Sequence, residues 1–190
     1  MRVYRDLFPS SRCLFMYRDV VDVAKSFYRL SMIGPSLRFN YLLSKFFGHK
    51  KLTTRFPAAD GSDIRMRSDL TTGVLIAALP IAIYLDLRRR GFDITAVRYE
   101  DLIARRLDMC RVVLEFCHLP VSLAELAVKA FDVDSQANSI VSKSAIGHFK
   151  EPQLTPQIQT ELNKFLKKCG VPLIGDPGII EGTLSWSTAS

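Results

Sequence analysis

Two short apolar runs, each followed at once by a stretch with helical spacing, constrain the fold of this chain more than any other feature of its sequence. The first run, residues 12–17, predicts a short buried strand, and the second run, residues 94–98, predicts another strand. Long stretches with helical spacing lie between them. Strands joined by helical crossovers lie parallel in one sheet. The sequence therefore predicts an α/β fold with a parallel sheet, although two clear strands are few for a sheet of this kind.

The predicted helices begin and end at residues that typically start or stop a helix. The first helix starts near Asp19, and the Gly34-Pro35 pair ends it. The last has Thr155 as N-cap and Pro156 as its first residue. Between them, helices are predicted over residues 36–47, 70–85, 102–117 and 122–130, and Gly170 ends the last helix.

The composition fits one folded domain. With 190 residues, 48% of them hydrophobic, the chain has enough apolar material for a core. From residue 175 onward Gly, Ser and Thr are frequent, which predicts a loose tail. We therefore expect a partial domain over residues 1–174 and a flexible C-terminal tail over residues 175–190.

Residues 70–85 carry no charge and so test whether the chain spans a membrane. The segment is shorter than the roughly 20 residues that a spanning helix needs, and Pro80 interrupts it. A buried helix is therefore favoured over an interfacial or spanning segment. The four cysteines form no CxxC or Cys/His metal pattern, so we expect reduced thiols, no metal and a cytoplasmic protein. A Golgi membrane protein stays an open alternative if further residues precede Met1.

The chain is basic, with a formal net charge of +7 and a pI near 9.4. Such a charge suits an acidic partner such as a nucleotide, a nucleic acid or an anionic membrane. Apart from Arg88-Arg89-Arg90, however, the basic residues are scattered, and no aromatic residues are interleaved with them. A platform for nucleic acid needs that interleaving. We therefore expect no nucleic-acid partner.

The ends of the two predicted strands carry candidate ligand-binding residues. Arg18 and Tyr99 each directly follow a predicted strand, and ligands of open parallel sheets bind at that edge. With a helix starting near Asp19, Asp22 and Ser26 lie one turn apart on its polar face. A guanidinium group and a hydroxyl beside a helix N-terminus suit a phosphate dianion. The alternative is a surface arginine paired with Asp19 or Asp22, and a solvated serine.

Two segments around these residues resemble motifs of the sulfotransferases that use 3′-phosphoadenosine 5′-phosphosulfate (PAPS) as sulfuryl donor. Residues 15–28 (FMYRDVVDVAKSFY) resemble the family's 3′-phosphate-binding motif, and residues 97–102 (VRYEDL) resemble its YEDL segment. The resemblance implies that Arg18 and Ser26 hold the 3′-phosphate and that Tyr99 approaches the adenine. It also implies PAPS as co-substrate and a three-layer parallel sheet of the P-loop-like sulfotransferase fold, incomplete and helix-rich in this chain.

A third segment, residues 142–150 (SKSAIGHFK), resembles the family's RKGxxGDWK loop, which folds over the donor. Lys143 and Gly147 match the pattern, and Phe149 stands where an aromatic residue is expected. The resemblance implies a phosphate contact for Lys143. Three positions depart from the pattern, with Ser142, Ser144 and His148 in place of arginine, glycine and aspartate.

Two parts of the family's catalytic machinery have no match in this sequence. They are the phosphate-cradling loop of PKSGTT type and the histidine that serves as general base, both of which precede the arginine motif in the family. The 17 residues before Arg18 contain neither. We expect His49 to be a solvated cap after a helix end and His118 to be a structural residue in a turn. Nothing in the family pattern makes His148 the base, so the catalytic residues stay unassigned.

These matches predict the later part of a sulfotransferase, whose full-length form transfers a sulfuryl group to a hydroxyl or amine acceptor. The chain alone would retain only the 3′-phosphoadenosine side of the donor site. The first alternative is a non-catalytic nucleotide-binding or partner-binding protein of the same family. A homodimer is one possible assembly of the chain. The second alternative is a truncated sheet whose apolar edges aggregate. The sequence does not identify the acceptor.

Overall fold

The computed structural model describes residues 11–31, 69–133 and 149–186. This part of the chain is α/β and mostly helical, with a small two-stranded parallel sheet. The α/β class and the parallel pairing predicted from the sequence are confirmed. Short 3₁₀ turns at Val121–Leu123 and Ala130–Asp132 flank one helix. The strands are β1 (Leu14–Tyr17) and β2 (Thr95–Arg98), and the helices are α1 (Val20–Ser31), α2 (Asp69–Arg89), α3 (Tyr99–Ala104), α4 (Arg106–Phe116), α5 (Ala124–Lys129) and α6 (Pro156–Cys169).

The chain divides into two compact units. The first unit comprises Met1–Tyr17, Asp86–Val133 and Glu181–Ser190, and the second comprises Arg18–Leu85 and Asp134–Ile180. The division falls directly after β1 and again within α2. The sheet therefore belongs to the first unit, and α1 belongs to the second.

The sheet of the first unit pairs β1 with β2 along their whole lengths. Leu14 lies opposite Thr95 and Tyr17 lies opposite Arg98. The predicted strands extended somewhat further, over residues 12–17 and 94–98. Within β2, Ala96 is fully buried.

β1 is less buried than its apolar sequence predicted. Leu14 is 37% exposed and Met16 is 59% exposed, whereas Tyr17 is buried. Successive side chains of a strand point to opposite faces of the sheet. Leu14 and Met16 therefore share one face, and the described residues leave that face largely uncovered. The prediction of a buried strand was wrong for these two positions.

Residues after Glu181 lie beside β2 on the side away from β1. The Ala96 N–H donates to the Gly182 carbonyl at 2.9 Å, and the Leu184 N–H donates to the Ala96 carbonyl at 2.8 Å. The hydroxyl groups of Tyr17 and Thr183 are hydrogen bonded at 2.9 Å. The composition of this segment predicts a loose tail, and the structure gives residues 182–184 defined partners in the first unit.

A break at Arg105 separates α3 from α4, where one continuous helix was predicted. Arg105 has φ −133° and ψ 56°, which is not helical. Ile103 lies just before the break and is exposed. Met109 lies after it and is fully buried. The core around it contains Val97, Leu102 and Met109, with Val113, Phe131 and Leu184 packed against them.

Helix α4 ends with a backbone arrangement that usually employs glycine. The His118 N–H donates to the Glu115 carbonyl at 2.9 Å, and the Leu119 N–H donates to the Leu114 carbonyl at 2.8 Å. These two bonds form a Schellman motif, in which the residue after the helix adopts a left-handed conformation. His118 occupies that position with φ 57°. The structural role predicted for this histidine agrees with its place in the turn.

In the second unit, α1 and α2 approach closely through small residues. A Cβ atom added at Gly73 of α2 would lie 2.8 Å from the Cα of Ala24 in α1. Ala24 and Ala78 are fully buried. Helix α2 continues through Pro80, so the predicted buried helix is confirmed. In the described part of the chain, no helix is long and apolar enough to cross a membrane.

Helix α6 has the bounds that its sequence predicted. The Thr155 hydroxyl accepts a hydrogen bond from the Ile158 N–H at 3.3 Å, and Pro156 is the first helical residue. Gly170 follows the helix with φ 68°. The buried residues of its apolar stripe are Leu162, Phe165, Leu166 and Cys169.

Candidate functional site

Asp19 caps the N-terminus of α1 and so determines which donors are available there. Its Oδ1 accepts hydrogen bonds from the N–H groups of Val21 at 2.9 Å and Asp22 at 3.0 Å. The helix therefore starts where the sequence predicted. The same cap occupies two of the backbone donors that would otherwise face an anion. A phosphate at this helix would have to be held by side chains instead of by those amides.

Arg18 precedes this cap and forms an ion pair with Asp22. The Arg18 Nη2 and Asp22 Oδ2 atoms are 2.9 Å apart, and the two side chains are 41% and 46% exposed. This pairing is the alternative that the sequence left open for Arg18. An exposed pair four residues apart on a helix contributes only about 0.3–0.5 kcal/mol. A dianionic ligand could therefore replace Asp22 as the partner of Arg18 at small cost.

The polar residues of α1 form one stripe along the helix. At helical spacing Asp22, Lys25 and Arg29 lie one above another, and Ser26 lies at the edge of the same face. Arg18 precedes the helix and joins this face through its ion pair with Asp22. The opposite face carries Val20 and Ala24, which are buried. We call Arg18, Asp22, Lys25, Ser26 and Arg29 the polar stripe of α1.

Ser26 lies about 9 Å along the axis from Val20, the first helical residue, and Arg18 precedes Val20 by two residues. A phosphate can bridge Arg18 and Ser26 only if the Arg18 side chain extends along the helix toward Ser26. Its ion pair with Asp22, one turn further along, already draws the guanidinium group in that direction. Ser26 itself is partly buried.

Glu151 lies against the other end of the stripe and binds two of its cations. One carboxylate oxygen lies 3.2 Å from Lys25 Nζ, and the other lies 3.2 Å from Arg29 Nη1. Lys25 and Arg29 are one helical turn apart, and Ser26 lies between them in the sequence. Sequence reasoning missed Glu151, because nothing local indicates that residue 151 returns to a helix that begins at residue 20. The two basic residues four apart were the only available sign of an internal anion.

Tyr99 belongs to a different compact unit from Arg18 and Ser26, so each is described within its own unit. Tyr99 is the first residue of α3, directly after β2, and it is partly buried within the first unit. The neighbouring Arg98 forms two ion pairs, with Nε 3.4 Å from Glu100 Oε2 and Nη1 3.4 Å from Asp101 Oδ1. Arg18 and Ser26 belong to the second unit. Lys143 lies outside the described residues, as do His49 and His148.

In the described ranges, the other nucleophilic and metal-binding side chains form no second site. His118 is placed by its turn, and its Nε2 is 2.9 Å from Arg12 Nη2. Burial raises the pKa of the Cys110 thiol and raises that of Cys169 to about 11, so both are poor nucleophiles at neutral pH. The four cysteines are free thiols, as predicted. Among the residues that the structure describes, no group of His, Cys, Asp and Glu side chains could hold a metal ion.

We compared the chain with protein-family models, with curated proteins and with solved structures. No family model matches it. No curated protein and no solved structure matches it either. The functional argument therefore rests on the chain's own motifs and on the polar stripe of α1.

Proposed function

We propose that this chain is part of a PAPS-dependent sulfotransferase and contributes the 3′-phosphoadenosine side of its donor site. In the complete enzyme, the sulfuryl group would pass from PAPS to a hydroxyl or amine acceptor. The fold that goes with this proposal is the three-layer parallel sheet of the sulfotransferases, of which β1 and β2 would be two strands. Arg18 and Ser26 would hold the 3′-phosphate.

One observation carries the proposal. Arg18 directly follows a strand that lies parallel to β2, and it precedes a capped helix that carries Ser26 on the same face. Parallel sheets bind ligands at the edge where Arg18 emerges. The strand before Arg18 and the helix that starts after it support this role.

Arg18 and Ser26 have the chemistry to bind a phosphate monoester. Arg18 offers a planar set of N–H donors, and Ser26 offers a hydroxyl; both suit phosphate oxygens. Asp22 supplies a competing carboxylate on the same stripe, and the Asp19 cap takes the nearest backbone donors. Binding would therefore exchange the Arg18–Asp22 ion pair for a contact with a doubly charged phosphate.

Sulfuryl transfer also needs a base for the acceptor and stabilisation of charge on the leaving phosphate. Arg18 and Ser26 would contribute to the second requirement only. Among the described residues, His118 is the one histidine, and its position in the turn after α4 gives it no such role. The proposal therefore assigns donor binding to this chain and leaves acceptor activation to groups outside the residues described.

Calorimetry with adenosine 3′,5′-bisphosphate tests the proposal. The full chain should bind this nucleotide and should bind adenosine 5′-phosphate more weakly, since the latter lacks the 3′-phosphate. Hydrogen bonds between charged groups contribute about 1.5–3 kcal/mol. Arg18→Ala should therefore weaken binding of the bisphosphate by about 10- to 100-fold.

The matched control is Arg111→Ala, at an exposed arginine on α4. It should leave the affinity unchanged. Equal affinity of the chain for the two nucleotides, or equal losses in both variants, would refute a 3′-phosphate site at Arg18. Binding of the bisphosphate without sulfuryl transfer by any complete form would favour the non-catalytic alternative.

A further inference from the structure

Glu151 neutralises two cations of the polar stripe that the proposed donor site does not use. Its carboxylate lies 3.2 Å from both Lys25 Nζ and Arg29 Nη1. Without it, the stripe would present three cations, at residues 18, 25 and 29, with Asp22 as its own carboxylate. Three cations in a row along a helix attract any polyanion, whatever its structure.

The ion pairs on the stripe differ in how easily an anion can replace them. Asp22 pairs with Arg18 from the same helix, and both side chains are more than two-fifths exposed. Glu151, whose side chain is 40% exposed, contacts two cations at once, and their side chains are 30% and 27% exposed. An anion that replaces Glu151 must break two ion pairs, whereas one that replaces Asp22 breaks a single pair.

We propose that Glu151 is a specificity-determining residue, which restricts anion binding on α1 to a single phosphate at Arg18. It does so by keeping Lys25 and Arg29 occupied, so that they do not attract further phosphates of a longer anion. This inference takes the stripe to be the anion-binding surface of the proposed function. It adds that an internal carboxylate excludes polyphosphates and nucleic acids from that surface.

The test measures how the binding of a labelled six-nucleotide oligothymidylate depends on salt. Each cation that contacts a single-stranded nucleic acid steepens the dependence of log K on log salt by about 0.7. Fluorescence anisotropy between about 50 and about 200 mM salt covers the range in which such contacts are lost. Glu151→Gln should steepen the slope by up to about 1.4, since it frees two cations. The matched control Glu161→Gln, at an exposed glutamate of α6, should not change it.

A triple variant separates the charge effect from a structural one. Glu151→Gln combined with Lys25→Gln and Arg29→Gln removes the carboxylate and both cations together, so its slope should match that of the unmodified chain. A cooperative thermal transition by circular dichroism verifies folding. An unchanged slope in folded Glu151→Gln, or a triple variant that keeps the steeper slope, overturns the proposal.

The salt-dependence experiment and the nucleotide-binding experiment can fail independently of each other. The oligothymidylate slopes depend on Lys25, Arg29 and Glu151, whereas the 3′-phosphate test depends on Arg18. If the bisphosphate fails to bind while the slopes behave as expected, the donor site is refuted and the role of Glu151 in excluding polyanions is supported. If the bisphosphate binds and the slopes do not change, the donor site stands and the role of Glu151 is refuted.

Discussion

The close approach of α1 and α2 makes Gly73→Ala a destabilising change, although alanine is the better helix former. A Cβ at residue 73 would lie 2.8 Å from both the Cα and the Cβ of Ala24, and 2.9 Å from its carbonyl oxygen. Ordinary van der Waals contacts at such a position are 3.4–4 Å long. Two of the three atoms belong to the backbone of α1, so no side-chain rotation relieves the clash. The two helices must separate instead.

The size of the effect follows from two opposing terms. Overpacking a closely packed contact costs about 1–3 kcal/mol. Replacing glycine by alanine inside a helix recovers about 1 kcal/mol through helix propensity. Because the clash involves backbone atoms, the cost should fall in the upper part of its range. We expect the free energy of unfolding to decrease by about 1–2 kcal/mol.

Urea unfolding followed by circular dichroism measures this change. Gly73→Ala should lower the urea midpoint with an unchanged m-value, and it should lower the melting temperature by about 2–8 °C for a chain of this size. Adding Ala24→Gly removes the contact with the Cβ but not those with the Cα and the carbonyl oxygen, so it should restore only part of the loss. If Gly73→Ala is as stable as the unmodified chain or more so, the packing argument is wrong.

Two further predictions concern the turn after α4 and the buried thiol of α6. His118→Gly should raise the free energy of unfolding measured in urea by about 0.5–1 kcal/mol. The left-handed conformation costs residues other than glycine about 1–2 kcal/mol, and the larger chain entropy of glycine in the unfolded state offsets part of the relief. His118→Ala keeps the same backbone cost and should not stabilise the chain. Cys169, whose pKa burial raises to about 11 from a usual value of 9.0, should react with iodoacetamide at pH 8 only after unfolding. Because the folded pKa is the higher one, its contribution to stability is complete below pH 9 and decreases as the pH rises toward 11. Two results would contradict these expectations: a Cys169 thiol that reacts as fast in the folded chain as in the unfolded one, or a higher free energy of unfolding in His118→Ala.

The elements that sequence reasoning placed correctly are those whose ends are determined locally. Both ends of α6 are determined by the residues that stand there. The start is set by the Thr155 side chain and the fixed backbone of Pro156, and the end by the left-handed conformation of Gly170. Asp19 does the same for the start of α1. The parallel order of β1 and β2 followed from the helical stretch between them, because a parallel pair needs a crossover.

The features that the sequence did not predict depend on contacts between distant parts of the chain. No glycine or proline marks the break at Arg105, so the helical spacing continued through it. The exposed face of β1 depends on what covers the sheet, which an apolar run does not reveal. At the candidate site, Arg18 and Ser26 were found through a local motif, whereas Glu151 reaches α1 from more than a hundred residues away.

The placement of residues 182–184 beside β2 has a consequence for the order in which the chain can fold on the ribosome. Ala96 is fully buried, yet its N–H and its carbonyl are bonded to residues that are translated more than eighty positions later. Until those residues emerge, a buried residue of β2 lacks both of its backbone partners on that side. The first unit, built from three separated segments, therefore completes its sheet late in synthesis, and nascent chains that stall before Gly182 should be the ones that chaperones and proteases recognise.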